Sequence, residues 1–389
     1  MGGIYPWFAE EVQYASTIHE AIMRDWSARK EEREEVFARA VRQLFGFPTS
    51  FSNEQIIAAY ENAAAYYHDQ VYEMTTWFAS AFVRLGTESR IANTTNPVDL
   101  LINALENGSD GPIDVRRKFE ALRKWVHASR LVRQRRQENE TAVRAEMGHI
   151  MRTVESRLFV PNQSVEPQTW AVMKEEESSG NFVFDRMFEH GSDSVLDHTV
   201  LDLTMPMRLV EIGADRLIEV VVFDRVKTDW STYMKMIEEK FDDPRKLKDR
   251  RGFTFLVSAR EEKKALERVL LERVLVSEFK VDENYIKKSQ RGFYARRFRV
   301  RWHDRPVEIH IMLLKDFVNC EQSSHSAHHD RHRLERMLKY IFPLHFPVWV
   351  YGVDWDDDVV CSVFERILND NLRNKVLCRA KALAAMQRR

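Results

Sequence analysis

Cysteine is scarce in this sequence: Cys320, Cys361 and Cys378 are the three present, and no two form a Cys-x-x-Cys pair. This scarcity argues against a disulfide framework and against a zinc site. No apolar run approaches the roughly 18 residues that a membrane span needs. The first residues also lack the basic segment followed by an apolar one that is typical of a signal peptide. We therefore expect a cytoplasmic protein with no membrane partner.

Glycine and proline are also few, at 13 and 11 of 389 residues, so tight hairpins cannot dominate and the chain should be rich in helix. The formal net charge is only -1, which excludes a general polyanion-binding surface over the whole molecule. Any basic patch that binds phosphate must therefore be local.

The sequence divides into four segments by composition and periodicity. Residues 1–158 place apolar side chains three and four positions apart, as in "NEQIIAAYENAAAYYHDQVYEM", and are predicted to form an all-helical N-terminal domain. Residues 159–205 contain clusters of Pro, Ser, Asn and Gly and are predicted to be a linker and domain entry. Residues 206–340 alternate strand-like and helix-like runs, and residues 341–389 are predicted to be a C-terminal helical extension.

The third segment carries the pattern that defines the fold class. "RLIEVVVFDRVKT", "GFTFLVS", "GFYARRFRVRW" and "RPVEIHIMLL" read as strands, with helical runs after the first, second and fourth. The predicted order is β-α-β-α-β-β-α. We therefore predict an α+β fold with flanking helices, preceded by the helical domain.

Charge is concentrated in the strand "RRFRVRW". Side chains alternate across a strand, so Arg297, Arg299 and Arg301 should project from one face. Planar guanidinium groups suit phosphate, and an anion among them would relieve their repulsion. The alternative is a solvated face whose arginines pair with Asp and Glu elsewhere. The sequence leaves both interpretations open.

Two acidic residues stand out beside these strands. Asp249 precedes the strand "GFTFLVS", and Glu308 interrupts the apolar pattern of "VEIHIM", where it shares a face with His310. Carboxylates from neighbouring strands can hold Mg²⁺ together with substrate phosphates. Each acid taken alone could equally be an ordinary surface residue. Together they indicate a site for phosphoryl or pyrophosphoryl transfer.

The segment from about residue 220 to 330 resembles the synthetase domain of the RelA/SpoT family, nucleotidyltransferase-fold enzymes that make the alarmone (p)ppGpp. The similar motifs are "RVKTDWSTYMKM", "KDRRGFT", "KKSQRGFYARR", "VEIHIM" and "CEQSSHSAHH". The resemblance implies a nucleotidyltransferase-like mixed sheet, ATP as donor and Mg²⁺ as cofactor. It implies ATP contacts by Arg225, Lys227, Ser231 and Lys235; catalysis and metal binding by Asp249 and Glu308; and substrate contacts by Phe293 or Tyr294 and by Glu321. The charged strand faces add Arg297, Arg299 and His310 as substrate-binding candidates.

The acceptor motifs depart from the family pattern. Thr254 and Met312 stand where the family usually has Arg, His310 where it has Gln, and Arg297 where it has His. The resemblance therefore implies a pyrophosphokinase that uses ATP and a nucleotide acceptor, which can be a guanine nucleotide or an RNA 3′ end. The alternative is a catalytically degenerate module that binds a nucleotide or RNA. The N-terminal helical domain could mediate formation of a homo-oligomer or binding of a regulatory partner, and the sequence leaves both possibilities open.

Overall fold

In a computed structural model, the chain is described for residues 9–24, 29–81, 94–105, 112–165, 169–189, 199–213, 216–288, 294–325 and 328–387. It divides into two compact units, each built from three separate segments. The helical unit comprises Met1–Asn139, Asp229–Pro244 and Tyr340–Trp355, and the sheet unit comprises Glu140–Thr228, Arg245–Lys339 and Asp356–Arg389. Among the described residues, no helix is both long and apolar enough to cross a bilayer.

The helices and strands of the described residues have the following bounds. The helices are α1 (Ala9–Met23), α2 (Lys30–Phe45), α3 (Asn53–Ala81), α4 (Pro97–Leu105), α5 (Pro112–Gln137), α6 (Glu140–Leu158), α7 (Asp229–Glu239), α8 (Arg260–Leu270), α9 (Val276–Glu278), α10 (Leu314–Glu321), α11 (His329–Arg336), α12 (Phe342–His345), α13 (Val348–Tyr351) and α14 (Asp358–Gln387). The strands are β1 (Ser164–Val165), β2 (Thr169–Glu175), β3 (Phe182–Glu189), β4 (Thr199–Asp202), β5 (Met207–Gly213), β6 (Arg216–Val226), β7 (Arg251–Val257), β8 (Lys280–Lys288), β9 (Tyr294–Trp302) and β10 (Arg305–Leu313).

The described strands of the sheet unit form a seven-stranded sheet in the order β1-β5-β6-β7-β10-β9-β8, and a three-stranded sheet in the order β3-β2-β4. In the larger sheet β7 and β10 run parallel, whereas the other neighbouring strands are antiparallel. The sheet is therefore mixed, and helices flank it. This architecture confirms the predicted α+β class.

One face of the large sheet is apolar and covered by helices. Val307, Ile309 and Ile311 of β10 are buried in a core that α6 and α8 complete. Helix α6 suits this position because its buried residues recur every three or four positions and so form one stripe: Val143, Met147, Ile150, Val154 and Leu158. The other face is apolar only in part, and its polar end carries the candidate site.

The structure differs from the predicted segments at two places. Strands β2 to β4 lie within residues 159–205, where a linker was predicted, because the loop-forming residues there separate short strands rather than replace them. Strand β8 was not predicted, since "KVDENYIKK" has few apolar residues and no regular alternation. The two units also divide the chain differently from the predicted domains, because each one gathers residues that are distant in sequence.

The helical unit contains a closed cluster of histidines and aromatic residues. His127 and His345 are fully buried, with ring centroids 4.8 Å apart, and Tyr67 stacks on His127. The Tyr67 hydroxyl lies 2.9 Å from Nδ1 of His345. Burial, and then the charge of Arg123, lowers the pKa of His345 well below its ordinary value; burial likewise lowers the pKa of His127. Both rings are therefore neutral in the folded protein at neutral pH.

This cluster predicts acid sensitivity. The two histidines take up protons near pH 6.5 when unfolded but not when folded, so stability is complete above that pH and falls below it. Each such histidine contributes about 1.4 kcal/mol per pH unit in the acid range. The free energy of unfolding is measured with denaturant from pH 8 to pH 5. In a His345→Phe variant we expect its decrease with falling pH to be less steep by the contribution of one histidine. An unchanged slope in the variant would contradict the assignment.

Candidate functional site

Four strands bring one row of residues together at the polar end of the large sheet. In the register of the sheet, Arg225 of β6 lies opposite Gly252 of β7, which lies opposite Glu308 of β10. Glu308 in turn lies opposite Arg299 of β9. Residues directly opposite one another on paired strands share a face. The row therefore places a carboxylate between two arginines, with a glycine beside it.

A second row lies one pleat further along the same face. His310 of β10 lies between Thr254 of β7 and Arg297 of β9, and Arg297 lies opposite Tyr285 of β8. The alternation of "RRFRVRW" thus does put Arg297 and Arg299 on one face, the face of Glu308. Pairing with acids, one of the two interpretations left open for these arginines, is observed for Arg299 and Arg301. Nη1 of Arg299 lies 2.6 Å from Glu283 Oε2. The exposed Arg301 pairs with Asp282 at 2.7 Å.

Glu308 is the centre of an ionic network. Its side chain is only 3% exposed, and its carboxylate lies 3.1 Å from Arg225 Nη2, 3.1 Å from Arg297 Nη1 and 3.0 Å from His310 Nε2. Burial alone would raise the pKa of this carboxyl, but the contacts with His310, Arg297 and Arg225 outweigh burial and lower the pKa to about 2. Glu308 is therefore ionised throughout the physiological range.

Gly252 makes the first row possible. A Cβ atom at this position would lie 2.8 Å from the backbone oxygen of Glu308 and 3.8 Å from Arg225 Nη2. The missing side chain lets Arg225 reach across β7 to the carboxylate of Glu308. Position 252 therefore requires glycine, because the backbone of β10 approaches it closely and the Glu308 oxygen cannot move aside without disturbing the strand.

We accordingly expect Gly252→Ala to destabilise the protein by about 1–3 kcal/mol, the usual range for adding a methyl group to a packed site. The measurement is urea unfolding followed by circular dichroism. The matched control is Gly213→Ala, because a Cβ at Gly213 would meet nothing within 4 Å. Equal stability of the two variants would show that the β7–β10 contact can relax.

Asp249 and Lys227 lie beside this network, where β6 ends and β7 begins. Lys227 Nζ is 3.6 Å from Asp249 Oδ2, and each side chain is 19% exposed. The backbone N–H of Lys227 donates to the carbonyl of Arg250 at 3.0 Å, which continues the ladder beyond the end of β6. The two side chains thus lie one step beyond the row of Arg225 and Gly252, at the edge of the same cluster.

The other basic residues of "KDRRG" differ in their surroundings. Arg250 and Arg251 are fully buried, and Arg251 Nε donates to Glu146 of α6 at 2.7 Å. Lys248 is exposed and lies 3.8 Å from Glu283.

The cluster, here called the Glu308 cluster, holds five cationic side chains against three carboxylates, an excess of two positive charges. Its charged members are Arg225, Lys227, Lys248, Arg297, Arg299, Asp249, Glu283 and Glu308.

Three predicted site residues have other described surroundings, and a fourth is not described. Ser231 and Lys235 belong to α7 of the helical unit, where Lys235 pairs with Glu239 at 3.1 Å. Tyr294 points to the opposite face of β9 from Arg297, and Lys263 Nζ of α8 lies 4.2 Å above its ring. Phe293 lies outside the described residues.

Glu321, another predicted substrate contact, is the last residue of α10. Burial raises the pKa of its carboxyl, and the charge of Arg225 in the cluster acts against that rise. The histidine that follows Glu321 at the start of α11, His328, is buried and accepts the N–H of Asp330 through Nδ1 at 3.1 Å. His328 therefore acts as a helix cap, a role that accounts for its position without a ligand.

Sequence reasoning missed Tyr285 and Glu283 because both lie on β8. The Tyr285 hydroxyl is 2.9 Å from Arg297 Nη1, and Glu283 pairs with Arg299. A signal was present: Glu283 and Tyr285 are two residues apart and would share a face of any strand. The polar composition of the segment concealed that strand.

No family model matches the chain, and no curated protein matches it. Among solved structures, the chain is similar to the small alarmone synthetase 1 from Bacillus subtilis, with 14% sequence identity and a TM-score of 0.25 over 44% of this chain and 82% of that chain. The structure of small alarmone synthetase 1 from Bacillus subtilis bound to its product pppGpp is similar at 13% identity and a TM-score of 0.26, over 44% and 78% of the two chains. Similarity at these scores carries no weight in assigning a function.

Proposed function

We propose that the sheet unit is a magnesium-dependent pyrophosphokinase of the RelA/SpoT type, which transfers pyrophosphate from ATP to a hydroxyl group of a nucleotide acceptor. The observation that carries the proposal is the Glu308 cluster. It combines an excess of positive charge with Asp249, a partly exposed carboxylate, at one end of a mixed sheet. The residue-by-residue resemblance of Arg225, Lys227, Asp249 and Glu308 to the family's motifs supports the same function.

Arg225 and Lys227 are the groups proposed to hold the phosphates of ATP. The side chain of Arg225 is 40% exposed even though one of its nitrogens binds Glu308, so the rest of the guanidinium can reach an anion. Lys227 adds a point charge two residues further along. Ser231 and Lys235 are further proposed ATP contacts, on the resemblance alone.

The residues fit a Mg²⁺ ion that is held mainly by its substrate. The described residues contain no group of three or more His, Cys, Asp or Glu side chains that could hold a metal by themselves. Magnesium does not need such a cage, since it commonly binds one or two carboxylates together with substrate phosphates. Asp249 would hold it, whereas the carboxylate of Glu308, which the resemblance implied as a second ligand, is bound by Arg225, Arg297 and His310. When bound, the ion would neutralise charge on the transferred phosphates.

Glu308 is better suited to positioning than to proton abstraction. A general base is most effective when its pKa lies near the working pH, and the pKa of Glu308 is about 2. Its contacts instead fix the guanidinium groups of Arg225 and Arg297 on either side of it. We therefore propose that Glu308 orients these two arginines toward the phosphates.

The proposed reaction is an in-line displacement at the β-phosphorus of ATP. The acceptor hydroxyl oxygen bonds to the β-phosphorus, the bond from that phosphorus to the oxygen bridging the α- and β-phosphates breaks, and AMP leaves with that oxygen. The hydroxyl proton passes to solvent. Arg297 and Arg299 are the groups proposed to bind phosphate of the acceptor, and His310 lies beside Arg297 at 3.1 Å. The acceptor class is a guanine nucleotide or an RNA 3′ end.

The test is release of AMP from ATP and Mg²⁺ in the presence of GDP, GTP or RNA, measured for the wild type and for Lys227→Met. The proposal expects AMP to form only when an acceptor is present and to fall strongly in the variant. Binding of ATP without any AMP would instead support the alternative, a degenerate module that binds a nucleotide or RNA. A Lys246→Met variant, with the change outside the cluster, is the control.

A further inference from the structure

Strand β8 adds an aromatic side chain to the Glu308 cluster. Tyr285 lies directly opposite Arg297 in the β8–β9 register, so the two side chains share the face that carries Glu308. Its hydroxyl lies 2.9 Å from Arg297 Nη1.

The ring of Tyr285 contacts two guanidinium groups at once. The ring centroid lies 5.7 Å from the guanidinium carbon of Arg297 and 5.6 Å from that of Arg299. Both distances are within the range of cation–π attraction. Arg297 and Arg299 are like charges two positions apart on one strand face, and the ring lies against both. Tyr285 therefore offsets a repulsion that would otherwise spread the two arginines.

Arg297 is held by contacts with three side chains. Its Nη1 lies 3.1 Å from Glu308 Oε1, its Nε lies 3.1 Å from His310 Nε2, and the Tyr285 hydroxyl accepts from Nη1. Arg299 is held by Glu283 through Nη1, while its side chain remains partly exposed. Without the ring and hydroxyl of Tyr285, the outer side of Arg297 would lose its contact with β8.

We propose that Tyr285 is a positioning residue that holds Arg297 and Arg299 as a pair for a phosphate or pyrophosphate group of the acceptor. This inference rests on the proposed function for the identity of the reaction. The inference goes beyond the proposed function because it assigns a part in anion recognition to a residue of β8, the edge strand. A role confined to folding is disfavoured by the position of Tyr285, which is only half-buried on a strand with exposed neighbours.

The experiment compares Tyr285→Phe and Tyr285→Leu with Ile286→Thr, a control on the same strand whose side chain is exposed and points to the opposite face. Calorimetric titration with inorganic pyrophosphate measures anion affinity without turnover, and AMP release gives KM and kcat for the acceptor. A hydrogen bond to a charged group that acts through a second residue should change affinity by roughly five- to tenfold. We expect this loss for Tyr285→Phe, a larger one for Tyr285→Leu, and a rise in acceptor KM with kcat nearly unchanged.

The two readouts separate the inference from the proposed function. If the wild type binds pyrophosphate but releases no AMP, the proposed function fails and the affinities alone decide the role of Tyr285. If AMP is released and both Tyr285 variants match Ile286→Thr in affinity and KM, the inference fails and the function stands. A uniform loss of kcat together with a lowered melting temperature would mark Tyr285 as structural and overturn the inference. Absence of pyrophosphate binding by the wild type would overturn it as well.

Discussion

Replacement of Glu308 by alanine is expected to destabilise the protein by about 3–5 kcal/mol, the usual effect of removing one partner from a buried ion pair. The loss arises because Arg225 and Arg297 would keep their charges near a site from which the compensating carboxylate has gone. Denaturant unfolding of the variant and the wild type, at pH 7 and equal salt, measures the change.

The matched control is Glu283→Ala. Glu283 also pairs with an arginine of β9, but its side chain is 42% exposed, and exposed ion pairs contribute only about 0–1 kcal/mol. A Glu308→Ala protein as stable as the control would show that water reaches the arginines freely. That result would contradict the description of Glu308 as the buried centre of the cluster.

Replacement of Asp249 by asparagine is expected to lower the rate of AMP release by at least about 100-fold, because loss of a metal ligand or other direct catalytic group commonly costs two or more orders of magnitude. Folding should be little changed, since asparagine has the same shape. Melting temperature and the rate of AMP release are measured on the same preparation.

The control for Asp249→Asn is Asp282→Asn, which removes an acidic residue that pairs with the exposed Arg301. It should leave the rate of AMP release within about twofold of wild type, as expected for a surface ion pair that contributes little. If Asp249→Asn also kept near-normal turnover, Asp249 would have no direct part in the reaction. Loss of AMP release in the control alone would move the site toward Arg301.

The faces of β10 could be predicted from the sequence because alternation depends only on strand geometry. Val307 and Ile309 lie in the core, and Glu308 and His310 lie on the opposite face, as the pattern "VEIHIM" indicated. The α+β class also followed from the order of apolar runs. Both results depend on neighbours along the chain, which a sequence shows directly.

The partners of Glu308 could not be predicted, because they come from other strands. From the sequence, Glu308 could be a metal ligand or an ordinary surface residue, whereas its side chain is buried between Arg225 and Arg297. Which residues face it depends on strand order and register, and the order β6-β7-β10-β9 is not the order of the sequence. Gly252 became informative only when its distance from the Glu308 backbone was known.

The position of Tyr294 on β9 decides whether it can belong to the Glu308 cluster. "RGFYARR" offers two adjacent aromatic residues, and the resemblance left open which one contacts the acceptor. The structure places Tyr294 on the opposite face from the cluster, beside Lys263. Because successive side chains alternate, Tyr294 and Arg297, which are three positions apart, lie on opposite faces of β9.

The most direct test of the proposed function follows the atoms of ATP. The protein is incubated with Mg²⁺, a guanine nucleotide or RNA acceptor, and ATP labelled with ¹⁸O at the non-bridging oxygens of its β- and γ-phosphates. The products are measured by mass spectrometry. A pyrophosphokinase predicts that the acceptor gains one intact labelled diphosphate group while unlabelled AMP forms in equal amount. Transfer of AMP to the acceptor with release of labelled pyrophosphate, or of a single phosphate with formation of ADP, would contradict the proposal.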